Sequence, residues 1–288
     1  MDQFKVVKEK YINADIPVDL ESRISSTFKK VQNSRRNSAI RKITAAAASF
    51  VLLLTLTVNV NQDFAMTLSE IPVIGQIVKV LSFKFDILET ENVHANIEAP
   101  VITGLENETL QAALNQKYYD ENKALYENFK KEMTAIEEAG GHLGIDSGFE
   151  IKTDTDRILS IGRYYVNTVG SSSTTFTYDT VDKIEGIMVT LPSLFIDASY
   201  IERISTFLIA HMQADMIANP DNVYWVTEED FDSFKTISAE QNFYLTENGK
   251  LVISFDKYTV APGYMGVLEF EIPTEIISDL LVSDRYVN

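Results

Sequence analysis

One uninterrupted apolar run, Ile43 to Val60 (ITAAAASFVLLLTLTVNV), most constrains what this chain can fold into. It contains no charged residue, and Arg41-Lys42 precedes it while Asp63 follows it. As a helix, these eighteen residues span about 27 Å, close to the hydrocarbon thickness of a bilayer. The run predicts a single transmembrane helix. It sets a short arm, residues 1–42, and a large C-terminal domain on opposite sides of a membrane.

Charge gives the orientation. The arm has a net charge of +5 and the rest of the chain −22. Arg35, Arg36, Arg41 and Lys42 sit just before the apolar run. The positive-inside rule puts the N-terminus in the cytoplasm and the acidic domain outside the cell. A cleaved signal peptide fits less well, because its basic segment and its apolar segment are both shorter than these.

The outer part is long enough to bury a core as one domain. The chain has no cysteine, so no disulfide holds that domain, and thiolate zinc sites and cysteine nucleophiles are excluded. His94, His142 and His211 lie far apart with no metal-ligand spacing. There is no GxSxG elbow, P-loop or SxxK motif. The sequence predicts no enzyme and no cofactor. An outer surface this acidic repels nucleic acid and speeds the capture of cationic proteins.

The arm carries an amphipathic helix around Pro17 to Gln32, with Leu20, Ile24, Phe28 and Val31 on one face. An arm of this length cannot bury that stripe against itself, so it needs a protein partner or the membrane surface. Ile71 to Leu81 is apolar but too short to span, and reads as a juxtamembrane helix within a connecting segment, residues 61–89.

The outer domain, residues 90–288, reads as α+β, an antiparallel sheet with helices on one face. It opens in extended chain to Ile102, followed by a long helix from Glu106 to Ala139 that stops at Gly140-Gly141. Strand patterns follow, then a helix from Tyr200 to Ala218. Asn248-Gly249 predicts a type I′ hairpin turn. Val260-Ala-Pro-Gly-Tyr-Met-Gly266 reads as a proline-braced contact loop carrying an aromatic side chain. Gly170 to Thr175 reads as a polar turn. Ala65 provides a small residue for signal peptidase just outside the apolar run, although Asp63 stands at the −3 position.

The order of these features resembles the RsiV-type anti-sigma factors of Gram-positive bacteria. The residues that carry the resemblance are the basic arm, the single anchor, Asn61 to Met66, Ile71 to Val80, and Asn242 to Gly266. The last segment is the most specific, and wall polysaccharide deacetylases share it. The resemblance implies an arm whose Leu20, Ile24, Phe28 and Val31 sequester an extracytoplasmic-function sigma factor. It implies an outer domain that binds lysozyme through the positions of Ser171, Ser172, Pro262, Gly263 and Tyr264. Signal peptidase then cuts at Ala65-Met66, and an intramembrane protease cuts within Ile43–Val60 to free the sigma factor. Another reading, a membrane-anchored cell-wall-binding module or an accessory to a wall-modifying enzyme, follows from the shared C-terminal segment.

Overall fold

The computed structural model describes residues 78–85, 88–90, 92–139, 141–169, 171–227 and 233–288. All belong to the second of two compact units, which begins at Ile71. Among the described residues no helix is long and apolar enough to cross a membrane. The run Ile43–Val60 and the arm lie outside them.

A seven-stranded sheet forms one layer. Its strands are β1 (Lys79–Lys84), β2 (Leu88–Glu89), β3 (Val93–Thr103), β4 (Leu143–Asp154), β5 (Ile158–Val169), β6 (Ser171–Asp182) and β7 (Ile187–Val189). The order is β1-β3-β4-β5-β6-β7, with β2 also on β3. The α+β reading holds, but the sheet is mixed and not purely antiparallel, because β3 and β4 run parallel. The cause is the long helix α1 (Glu108–Glu138) between them, which returns the chain to the starting end of the sheet. Residues 79–81, read from sequence as helical, are part of β1 and pair with Val101 to Thr103.

Helix α1 begins and ends where its sequence dictates. The Asn107 side chain accepts a hydrogen bond from the Leu110 N–H at 3.1 Å, an N-cap. At the other end the Gly141 N–H donates to the Ile136 carbonyl at 2.9 Å and closes the last turn. Leu114, Tyr118 and Phe129 are buried against the sheet. Polar side chains bolt the helix down. The Asn122 amide oxygen accepts from the Ser147 hydroxyl at 2.6 Å, and Asp179 pairs with Lys117 and Arg163 at 3.0 and 3.1 Å. Asn115 accepts from the Ile102 N–H at 2.7 Å and donates to its carbonyl at 2.8 Å.

The other face of the sheet carries a second layer at one end. A three-stranded antiparallel sheet of β8 (Phe243–Leu245), β9 (Leu251–Phe255) and β10 (Leu268–Ile272) packs there. Helix α2 (Ser199–Ala218) and the short α3 (Thr274–Ile277) share its core, in which Ile204, Leu208, Met212, Leu251, Ile253 and Ile272 are fully buried. Each such aliphatic side chain contributes roughly 2 kcal/mol on leaving water. The β8–β9 turn differs from the type I′ form. Gly249 has φ +69°, but Asn248 is not left-handed, and a type I′ turn requires both to be. The Gly249 N–H donates to the Thr246 carbonyl at 3.0 Å, so the wider loop needs only one left-handed residue.

Candidate functional site

The two segments that the resemblance implies as contacts come together on one surface. Ser171 and Ser172 open β6 and pair with Val169 and Thr168 of β5. They therefore belong to a strand, where the sequence reads a polar turn. The β-branched Thr174 and Thr175 favour continued pairing.

The chain leaving β9 runs alongside this strand. Lys257 Nζ donates to the Ser172 carbonyl at 2.7 Å and contacts its hydroxyl oxygen at 2.8 Å. The Lys257 N–H donates to the Thr174 carbonyl at 3.1 Å. Asp256 accepts from the Phe176 N–H at 2.7 Å, and the Asn242 side chain donates to the Phe176 carbonyl at 2.7 Å. Burial pushes the Asp256 carboxyl above its usual range, against the opposing pull of the Phe176 N–H.

Tyr258 has φ +72°, and it is the non-glycine residue with positive φ among the described residues. That conformation is costly for a bulky side chain. It lays the ring against Gly263, where an added Cβ would come within 2.2 Å of ring carbons. Gly263 is thus a glycine because Tyr258 occupies the space of its side chain. Lys257 Nζ lies 5.2 Å from the same ring centroid.

Pro262 leads into a tight turn, Gly263–Met265, in which the Met265 N–H donates to the Pro262 carbonyl at 3.0 Å. Tyr264 at its centre is 69% exposed and does not fold back onto the sheet. Its hydroxyl donates to the Asp221 carbonyl at 2.9 Å. The Val223 N–H meets Met265 Sδ at 3.3 Å, and the Trp225 N–H donates to the Val260 carbonyl at 2.8 Å. The segment after α2 therefore braces the loop from behind. An exposed ring with a fixed hydroxyl gives up little freedom on binding.

Fixed negative charge lies nearby. Asp215 accepts from Tyr224, Asn219 and Asn222 at 2.8, 2.6 and 2.8 Å, which holds its carboxyl below the usual range. Burial, with Asp215 beside it, pushes the Tyr224 hydroxyl up to about 12. Tyr224 therefore remains a donor and Asp215 a carboxylate at neutral pH. An exposed aromatic ring, serine hydroxyls and a fixed carboxylate suit recognition of a basic protein surface.

Catalytic geometry is a different matter. Among the described residues no three His, Cys, Asp or Glu side chains are grouped to hold a metal ion. His211 stacks on Phe207 at 5.6 Å and meets the Phe270 ring edge-on at 5.8 Å, a packing role. His94 and His142 are exposed. Sequence reasoning picked out Ser171, Ser172, Pro262, Gly263 and Tyr264 but missed Lys257, Tyr258 and Asp221, which join them. The one available signal was position, since Asp256-Lys257-Tyr258 directly follows the buried run Leu251–Phe255. Leu20, Ile24, Phe28, Val31, Ala65 and Met66 lie outside the described residues.

Comparison with known proteins agrees with this architecture. Residues 192–275 match a family model described as a protein of unknown function, DUF3298, and residues 35–127 match a domain of unknown function, DUF4179. Two solved DUF3298-family structures share the fold. One, from Bacteroides fragilis, has a TM-score of 0.52 at 16% identity and covers 72% of this chain and 94% of its own. The other, from Pseudomonas aeruginosa, has a TM-score of 0.51 at 11% identity and covers 75% of this chain and 99% of its own. The anti-sigma-V factor RsiV of Bacillus subtilis (strain 168) is 42% identical over 281 residues, 98% of this chain and 97% of that protein. With identity at that level along nearly its whole length, the chain belongs to the RsiV family of anti-sigma factors.

Proposed function

We propose that this protein is a single-pass membrane anti-sigma factor whose outer domain senses lysozyme, and that it is a regulator with no chemistry of its own. Residues 1–42 hold an extracytoplasmic-function sigma factor through Leu20, Ile24, Phe28 and Val31. Ile43–Val60 crosses the membrane. Residues 61–89 carry the first cleavage site, at Ala65-Met66, and residues 90–288 form the sensor. Lysozyme binding opens that site to signal peptidase, and a second cut inside the membrane frees the sigma factor.

The observation that supports the ligand assignment is the double contact of Lys257 with Ser172, which, with the Tyr258 ring against Gly263, puts the start of β6 and the Tyr264 loop on one surface. The domain's acidity matches a small basic ligand and accelerates its capture. The test uses the full chain in lipid nanodiscs with hen egg-white lysozyme as probe. The expected result is binding whose on-rate falls as salt rises, followed by cleavage when signal peptidase is added. Absence of binding at low salt rejects lysozyme as ligand. For the arm, Leu20→Glu and Phe28→Glu should each abolish co-purification of the sigma factor. Retention by both variants rejects the stripe as the contact.

A further inference from the structure

Lys152 is the bulged residue of β4. Ile151 pairs with Ile161 and Thr153 with Ser160, so Lys152 has no partner across the ladder. A bulge of this kind re-aims a side chain. Here it directs the ammonium into a box on the face of the sheet opposite α1. Nζ lies 2.9 Å from Glu150 and 2.8 Å from Glu269. It also lies 5.5 and 5.3 Å from the ring centroids of Phe176 and Tyr244. Tyr178 stacks on both of those rings, at 5.6 and 5.5 Å. The Tyr178 and Tyr244 hydroxyls donate to the two oxygens of Glu269 at 3.0 and 3.1 Å. Gly162 clears the floor, since a Cβ there would come within 2.9 Å of the Tyr178 ring.

Two features set this box apart from an ordinary ion pair. It places two carboxylates and two aromatic rings around one ammonium, with Tyr178 stacked between the rings, so one unit of negative charge is left over. It also shares a strand face with the contact surface already described. Ser172, Thr174, Phe176 and Tyr178 are alternate residues of β6 and point to one side. The box therefore continues the path that starts at Ser172 and Lys257.

We propose that the box is a subsite for a cationic side chain, guanidinium or ammonium, of the basic protein that the outer domain binds, and that Lys152 is the resident occupant which the incoming cation replaces. This rests on the reading that the ligand is a basic protein. Exchange of one cation for another conserves the ion pairs and the cation–π contacts. The subsite thus selects for positive charge at one point of the partner while Lys152 keeps it filled in the free protein.

The test uses the full-length protein in nanodiscs, with hen egg-white lysozyme as probe. Lys152→Met vacates the box and should tighten binding about tenfold, with Lys152→Gln as a second vacant variant. Adding Glu269→Gln or Tyr244→Leu should reverse most of that gain. Lys131→Met removes the same charge from the exposed side of α1 and should change affinity less than about twofold. Unchanged or weaker binding by both vacant variants overturns the proposal, as does an equal gain from Lys131→Met. If the wild type does not bind lysozyme at all, the ligand reading fails by itself, and N-acetylarginine amide then judges the box. Binding of that probe to Lys152→Met, abolished by Glu269→Gln, upholds the subsite, and no binding overturns it.

Discussion

Lys257 reaches back from the end of β9 to hold Ser172 twice, through its carbonyl at 2.7 Å and its hydroxyl oxygen at 2.8 Å. Two segments that the chain keeps far apart thereby share one surface. Lys257→Met keeps most of the side-chain length and removes both contacts. Lysozyme affinity should fall about tenfold, mainly through faster dissociation, because the surface loses its preorganisation. Ser172→Ala keeps the carbonyl contact and should cost less. Interferometry on both variants gives the comparison.

Tyr264 separates packing from recognition. Its ring is 69% exposed, so Tyr264→Ala should leave the melting temperature unchanged. The same change should cost about 2 kcal/mol or more of binding energy if the ring is a central anchor. Tyr264→Phe removes only the hydrogen bond to the Asp221 carbonyl. Its expected cost is about 1 kcal/mol, from a ring that is less firmly placed.

A third prediction concerns stability and pH. The buried Asp182 accepts from the Ile184 and Glu185 N–H groups at 2.9 and 3.0 Å, from Arg157 at 2.7 Å and from Tyr286 at 2.8 Å. Burial pushes its carboxyl up, but these donors together outweigh that effect and hold it below its usual value. The folded pKa therefore lies below the unfolded one. The stabilisation is complete above the unfolded value of about 3.9 and is lost as pH falls through the folded value. Asp182→Asn should cost about 3 kcal/mol at neutral pH. The gap between variant and wild type should narrow in urea melts below about pH 3.

Much of the fold is legible in the residues themselves. The stripe that includes Leu114, Tyr118 and Phe129, together with the glycine stop, gives α1 almost to its ends. Other features depend on partners that lie far off in sequence. The alternation along β3 shows which residues turn inward, but nothing in it says that β4 will lie parallel beside it. Residues 79–81 look helical because they continue an apolar run, yet pairing with β3 decides their conformation. The same holds at the candidate site. Pro262 and Gly263 announce a turn, whereas the positive φ of Tyr258 and the reach of Lys257 follow from the packing of two sheets.

The apolar run offers a test on the membrane side. Its first half is rich in alanine, Ala45 to Ala48, and small side chains leave a helix easier to open than leucines do. Replacing these four alanines with leucine should leave the outer cut intact and stop release of the arm. Immunoblots of both fragments after lysozyme treatment would report the two steps separately, and unchanged release would reduce the run to an anchor.

Asn115 has a consequence for how molecules of this kind share a surface. Pairing of β3 with β4 stops at Ile97, so the N–H and carbonyl of Ile102 would otherwise form an open rung. An open rung is a template on which a neighbouring chain can lay a strand. The amide of Asn115 fills both positions from the helix above. Two copies that meet there therefore find a closed border, and the domains can collide without zipping together along that line.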